Sequence, residues 1–281
     1  MAPPRPHSPL RRAVTLRSRA GLVAHRVADP VWALPDLRIA ILSDMHVCRP
    51  WSTLGMLELL VAQVNDLSPD LILLPGDFIA DRNLPARYEQ ATDIVAVLSH
   101  LRAPLGVAAV LGNHDWWDCR LSRRSGFTRN SVAEALGTSP IRLLTNEACE
   151  VPHGEGFWLV GIDSQMGRKA QKKPGFHDPD KAFSTVPEGA PAILMAHEPD
   201  YFAAGDARAF LQISGHTHGG QANLAGWRPM TPSVHGSRYA WGHVREGGRH
   251  LVVSGGVGFS GLPLRLFQPP EITLVTVTRG A

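Results

Sequence analysis

The sequence predicts an α/β protein, and three observations carry that prediction. Its first half alternates apolar runs of strand length with amphipathic helical stretches, its second half is rich in strand-like segments, and five apolar runs end in Asp, Asn or His. At 281 residues, 44% of them hydrophobic and 19% charged, the chain is long enough for one large core or two small domains.

The elements follow in order. "LRIAILSD" (37–44) reads as a buried strand ending at Asp44. The stretch 52–67 places apolar residues at 57, 60, 61, 64 and 67, a helical stripe with Ser52 or Thr53 as cap. "DLILLPGD" (70–77) is a second strand, running into a Pro-Gly break. Residues 88–101 repeat the helical stripe, and "GVAAVLGNHD" (106–115) is read as a third strand. Strand, helix, strand, helix, strand marks a right-handed parallel unit. A short helix at 130–137 comes next, then strands near 141–145, 157–162, 192–196, 211–214, 250–254 and 271–278, with Gly and Pro crowding the connections. The two halves fit either two domains or two sheets packed face to face.

The strand ends carry the chemistry. They hold Asp44 and His46 ("SDMH"), Asp77 ("PGDF"), Asn113, His114 and Asp115 ("LGNHD"), His197 ("LMAHEP"), and His216 and His218 in "SGHTHGGQA". Side chains two apart at a strand end point the same way, and neutral imidazole is a common metal ligand. Asp44, His46, Asp77, Asn113, His197, His216 and His218 offer mixed N and O donors without thiolate, too many for one tetrahedral ion. Two ions bridged by one carboxylate fit that set, with Asp77, on the central strand, as the natural bridge.

The ordered motifs D-x-H, G-D, G-N-H-D, H and G-H-x-H resemble those of the calcineurin-like metallophosphoesterase superfamily, and "GHTHGGQ" with the closing "GFSGLPLRLFQPPEITL" (258–274) resembles its single-domain bacterial branch. The resemblance covers roughly residues 36 to 279. It implies a four-layer α/β/β/α sandwich of two mixed sheets flanked by helices, with a dinuclear metal site at the strand C-terminal ends. It implies that Asp44, His46 and His218 hold one divalent ion, that Asn113, His197 and His216 hold the other, and that Asp77 bridges them. Mn²⁺ is favoured over Zn²⁺ and Fe²⁺. The nucleophile implied is a hydroxide spanning both ions. His114 is implied to be catalytic rather than a ligand, steadying or protonating the leaving oxygen. Leu111 stands where phosphoprotein phosphatases carry Arg, and Ala80 where purple acid phosphatases carry an iron-binding Tyr, so neither of those activities is expected. The partner of His114 is left between Asp81 and a backbone group, and Asp115 is assigned a structural role in the turn.

The function expected is a dinuclear-metal phosphohydrolase cleaving phosphodiester or pyrophosphate bonds. The alternatives are a non-catalytic scaffold of the same fold, or a nuclease. A small-molecule or lipid-linked phosphoester is the expected partner, nucleic acid is not, and a monomer is expected. Residues 1–35 are read as a basic tail, partly disordered or peripheral, and 36–281 as the metallophosphoesterase domain. Six arginines against one acid within the first 31 residues suggest weak contact with anionic membrane. Three cysteines form no disulfide framework, no signal-length or membrane-spanning apolar run occurs, and a cytoplasmic protein, peripheral at the inner membrane face, is expected. Lesser candidates are "SGGVGFSG" (254–261) as a phosphate cradle or plain turns, Arg265 as a substrate contact or as a salt-bridge or surface residue, Trp116 and Trp117 as groove walls or core caps, and His235, His243 and His250 as surface residues.

Overall fold

The computed structural model describes residues 14–15, 20–168 and 172–280. Strands β1 (Gly21–Asp29), β2 (Leu37–Ile41), β3 (Leu71–Leu74), β4 (Val107–Ala109) and β5 (Arg142–Leu143) come first; β6 (Glu147–Val151), β7 (Phe157–Ile162), β8 (Ala192–Ala196), β9 (Leu211–Ser214), β10 (Gly242–Glu246) and β11 (Arg249–Val253) follow, and β12 (Glu271–Arg279) returns to the first group. Two six-stranded mixed sheets result, with spatial orders β1-β12-β2-β3-β4-β5 and β10-β11-β9-β8-β7-β6.

The sheets pack face to face, which decides between the two arrangements the sequence left open. Ile39, Ile41, Leu71, Leu73 and Val275 of one meet Phe157, Leu159, Ile193, Met195 and Ile213 of the other in a common core. The outer face of the first sheet is covered by α1 (Leu54–Asp66), α2 (Ala91–Leu98) and α5 (Ser131–Leu136); two short helices, α3 (Asn113–Trp117) and α4 (Arg120–Arg124), lie between. Thr53 caps α1 by accepting the Met56 N–H, and Leu57, Leu60, Val61 and Val64 form its buried stripe. The second sheet is covered by α6 (Pro179–Phe183) and the 3₁₀ turn Pro199–Ala204. Layers of helix, sheet, sheet and helix are thus the α/β/β/α sandwich expected.

The expected boundary at residue 36 is corrected. Gly21–Asp29 is an edge strand, parallel to β12 from Gly21↔Glu271 to Asp29↔Arg279. Its pattern was hard to read because an edge strand on the rim buries little: only Val27 and Asp29 are buried, and Arg26 is exposed. The reading of the remaining arginines (Arg5, Arg11, Arg12, Arg17, Arg19) as a disordered tail lies outside the described residues. His250 is corrected too. It is buried, with its Nδ1 2.8 Å from His243 Nε2 of β10 and its Nε2 facing Asp29 Oδ2 of β1 at 3.2 Å. No helix among the described residues is long and apolar enough to cross a membrane.

Candidate metal centre

All eight candidate residues meet at one edge of the sandwich, where the C-terminal ends of β2, β3 and β4 face those of β8 and β9. Asp44 and His46 follow β2, Asp77 follows β3, Asn113 and His114 open α3, His197 leaves β8, and His216 and His218 leave β9. The expected third strand ends early, at Ala109, so Asn113 and His114 sit on the first turn of a helix. Asp44, His46, Asp77, His216 and His218 hold φ between +43° and +71°, a left-handed conformation uncommon for residues with side chains and typical of functional sites. The glycines leave no room for anything larger. A Cβ on Gly112 would collide with the Asp77 carboxylate, and one on Gly215 with Ser43 and Asp44.

The donors fall into two groups, Asp44–His46–His218 and Asp77–His197–His216, each with ligand atoms within 4.8 Å of one another, and all six residues are buried. Asp77 lies between them: its Oδ2 is 3.2 Å from His197 Nε2 and 3.5 Å from His46 Nε2, yet is buried without a hydrogen-bond partner. Its Oδ1 accepts the His114 N–H at 2.9 Å. Asn113 Oδ1 lies 3.1 Å from His197 Nε2.

Outer partners fix the rings. Nδ1–H of His46 donates to Ile79 O at 3.1 Å, Nδ1–H of His197 to Pro75 O at 2.6 Å, and Nε2–H of His216 to Pro232 O at 3.0 Å. These bonds direct the lone pairs of His46 Nε2 and His216 Nδ1 inward, the latter buried with no partner, and turn His197 Nε2 toward Asp77. His218 is held differently. Its Nδ1 accepts from Arg265 Nη2 at 3.1 Å, and its Nε2 faces His46 Nε2 at 3.1 Å.

Electrostatics agree with a site built for cations. Burial lowers His46 to about 4 and His216 to about 4, and lowers His218 further, so these rings are neutral donors. Burial raises Asp44 to about 6, with Asp77 adding to the effect. Asp77 is held well below the ordinary range: burial pushes it up, but His197, His114 and His46 outweigh that. His197 is raised well above its ordinary value; burial opposes this, and Asp77, Glu198 and Asp44 prevail. Two buried carboxylates thus gather positive charge wherever they can. An orphaned carboxylate oxygen, inward lone pairs and an N/O donor set without thiolate fit divalent metal ions.

His114 stands beside the donors and lines a cavity of about 360 Å³ with Trp117, Met166, His216, His218, Met230 and Pro232. Its partner, left open in the sequence, is Asp118. Nδ1–H donates to Asp118 Oδ2 at 2.6 Å, and Nε2 lies 3.4 Å from Ser260 Oγ. Asp81 instead accepts from Ser260 Oγ at 3.0 Å and Gly261 N at 2.8 Å. The i,i+4 spacing of His114 and Asp118 was the available signal, hidden because 106–115 read as a strand. Burial lowers His114, but Asp77, Asp118 and Asp81 together push it up to about 9. Asp115 has its structural role: its carboxylate accepts the N–H groups of Asp77, Phe78, Ile79 and Gly112 at 2.9–3.2 Å.

The lesser candidates resolve differently. Arg265 is fully buried, donating to Gly255 O and Gly258 O as well as His218, so it neither reaches the cavity nor the surface. The 254–261 segment is no phosphate cradle, because the N–H groups of Gly255, Gly256, Val257, Gly258, Ser260 and Gly261 are all bonded within the protein. Trp116 donates to Asp163 at 2.8 Å and stacks on Phe176 in the core, while Trp117 is a cavity wall. Glu198, unnoticed in the sequence, accepts from Ser164 Oγ, Gln165 N and Met166 N and so holds the loop that carries Met166.

The profile of the calcineurin-like phosphoesterase family matches residues 37–220, a span containing every candidate residue. The chain belongs to that family. Proteins similar to it include the "Uncharacterized metallophosphoesterase YkuE" of Bacillus subtilis, 29% identical over 85% of this chain and 78% of that one. An uncharacterized metallophosphoesterase of Aquifex aeolicus is 27% identical over 86% of this chain and 85% of that one. The "Phosphodiesterase YaeI" of Escherichia coli is 30% identical over 90% and 87%. Family membership makes the chain a phosphoester hydrolase in general terms.

Proposed function

We propose that the protein hydrolyses phosphodiester or pyrophosphate bonds with two divalent metal ions, Mn²⁺ being favoured. The observation that carries this reading is Asp77 Oδ2, buried, unpaired and placed between two donor groups. Asp44, His46 and His218 would hold one ion, Asn113, His197 and His216 the other, with Asp77 between. The ions supply Lewis-acid charge that makes water nucleophilic near neutral pH and stabilises charge on the phosphoryl oxygens.

The chain's own residues do the rest. His114 keeps a proton at the cavity, because its Nδ1 side is anchored on Asp118 and nearby carboxylates favour the charged ring. A cation there can neutralise a phosphoryl oxygen, or pass its Nε2 proton to a departing alkoxide. The backbone N–H of His114 is spent on Asp77, which fixes the imidazole relative to the bridging carboxylate. Trp117, Met166, Met230 and Pro232 give the cavity an apolar side suited to the organic part of a diester. The printed name of the Escherichia coli relative, a phosphodiesterase, supports a diester preference.

The test is direct. Purified protein loaded with Mn²⁺ is assayed on bis(p-nitrophenyl) phosphate and p-nitrophenyl phosphate, alongside elemental analysis. Expected are two ions per chain, faster turnover of the diester, loss of activity with chelator and recovery with Mn²⁺. Active protein with only trace metal would refute the dinuclear reading, and a strong monoester preference would refute the substrate class.

A further inference from the structure

We propose that Trp117 and Met166 form the subsite for the leaving alcohol of the substrate, and that this alcohol is apolar next to its ester oxygen. Trp116 and Trp117 are consecutive on α3, so their side chains point about 100° apart. The first enters the core and the second faces the cavity. There the Trp117 indole stands against the His114 imidazole, ring centroids 5.5 Å apart and planes at 65°. Its Nε1–H donates to Met166 O at 2.8 Å, while Met166 N–H donates to Glu198 Oε1 at 3.2 Å. Both backbone polar groups of Met166 are thus taken, one by the residue after His197 and the other by the helix that carries His114. The loop behind is packed as tightly. Trp116 Nε1–H donates to Asp163 Oδ1 at 2.8 Å and its ring stacks on Phe176 at 4.1 Å. Phe176 N–H donates to Ser164 O at 2.9 Å, and a Cβ on Gly167 would strike the Phe176 ring at 2.7 Å. A wall set in place before substrate arrives binds an apolar group with little cost of ordering.

The position of His114 decides which end of the substrate meets this wall. In hydrolysis the water oxygen bonds to phosphorus, and the P–O bond to the leaving alcohol breaks with its electron pair on oxygen. That oxygen takes the Nε2 proton of His114, and the proton released by the water passes to solvent, which restores the imidazole. The assignment rests on the proposed function, because only the departing oxygen meets Nε2. The carbon next to that oxygen then lies against the side chains that adjoin His114, which are Trp117 and, bonded to it, Met166. The same geometry separates diesters from pyrophosphates. A pyrophosphate would set a second phosphate on the leaving side, yet no Lys or Arg occurs among the described residues that line the cavity. The Trp117 N–H cannot serve that anion either, since it is spent on Met166 O. The carbon skeleton of an alcohol, by contrast, gains by leaving water for an indole and a thioether. The wall therefore selects diesters, and among them those with an aryl or alkyl leaving group.

The experiment is steady-state kinetics of the full chain loaded with Mn²⁺, with metal content measured beside it. Bis(p-nitrophenyl) phosphate and methyl p-nitrophenyl phosphate release the same p-nitrophenolate and differ only in the group that stays on phosphorus. Trp117→Ala should raise KM about tenfold for both, the usual worth of a lost apolar contact, with a smaller fall in kcat and parental metal content. Met166→Ala should shift both substrates the same way. Trp117→Phe, which keeps an aromatic face, should return KM most of the way to the parent's. An unchanged KM in both alanine variants, or a rise confined to bis(p-nitrophenyl) phosphate, would overturn the subsite while leaving the proposed function standing. A parent that favours diadenosine diphosphate over both diesters would overturn it too. Absence of all turnover by the metal-loaded parent would instead overturn the proposed function, and the subsite with it.

Discussion

His114 and Asp118 are joined across one helical turn, Nδ1 to Oδ2 at 2.6 Å, and that bond presents Nε2 toward Ser260 at the cavity edge. The imidazole ring is therefore oriented by a carboxylate of its own helix, while its backbone N–H is held by Asp77. Replacing His114 with Ala is expected to lower diester turnover about 10²–10⁴-fold, the usual worth of a positioned acid, with metal content near that of the parent. Asp118→Asn should lower kcat with little change in KM. Elemental analysis beside steady-state kinetics checks both; a metal-free His114→Ala protein would make His114 a ligand.

Gly112 is predicted to be intolerant of any side chain. Its Cα faces the Asp77 carboxylate so closely that a Cβ must displace the bridging residue. Gly112→Ala should therefore lose metal and activity together and cost about 1–3 kcal/mol of stability through overpacking. Elemental analysis and urea unfolding measure the two effects; full metal occupancy in this variant would mean that the two loops separate freely.

Arg265→Met removes the donors that satisfy Gly255 O at 2.8 Å and Gly258 O at 2.7 Å inside the protein. Each carbonyl left without a partner costs about 1–3 kcal/mol. For a chain of this size the melting temperature should fall by at least ~4 °C, as calorimetry can show. Arg265→Lys should recover only part of the loss, because one ammonium cannot reproduce a planar fork.

A pH effect away from the centre is expected at Asp206. Burial would raise this carboxyl, but hydrogen bonds from Arg208 and Tyr201 hold it at about 2 against an ordinary 3.8. A carboxyl depressed in the folded state stabilises above its unfolded value, and that contribution is lost as pH falls from 3.8 through about 2. The stability gap between the parent and Asp206→Asn should therefore narrow as pH drops through that window, as denaturant titrations at several pH values would report. A gap independent of pH would locate the effect in packing instead of charge.

Much of this molecule could be read from residue order alone, for identifiable reasons. Apolar runs such as Ala192–Ala196 and Leu211–Ser214 are buried on both faces, so their ends are abrupt, and the polar residues following them stand out. The donors are local features of those ends. What escaped reading depends on neighbours distant in sequence. Gly21–Asp29 buries little and is defined by its partner β12. Arg265 looks like a surface cation until the carbonyls of Gly255 and Gly258 enclose it. Asp118 required knowing that the chain turns helical at Asn113.

The position of β12 has a consequence for how the protein is made. Thr273 lies opposite Ile41, and Thr278 opposite Ala28, so the last strand is threaded between the first two. On the ribosome, Leu37–Ile41 emerges early and keeps an open hydrogen-bonding edge until Glu271–Arg279 leaves the exit tunnel. Contacts this remote form slowly, and exposed strand edges invite association. Asp44, at the end of that waiting strand, reaches its final setting only after Glu271–Arg279 has been translated, so the donor groups around it are completed late in synthesis.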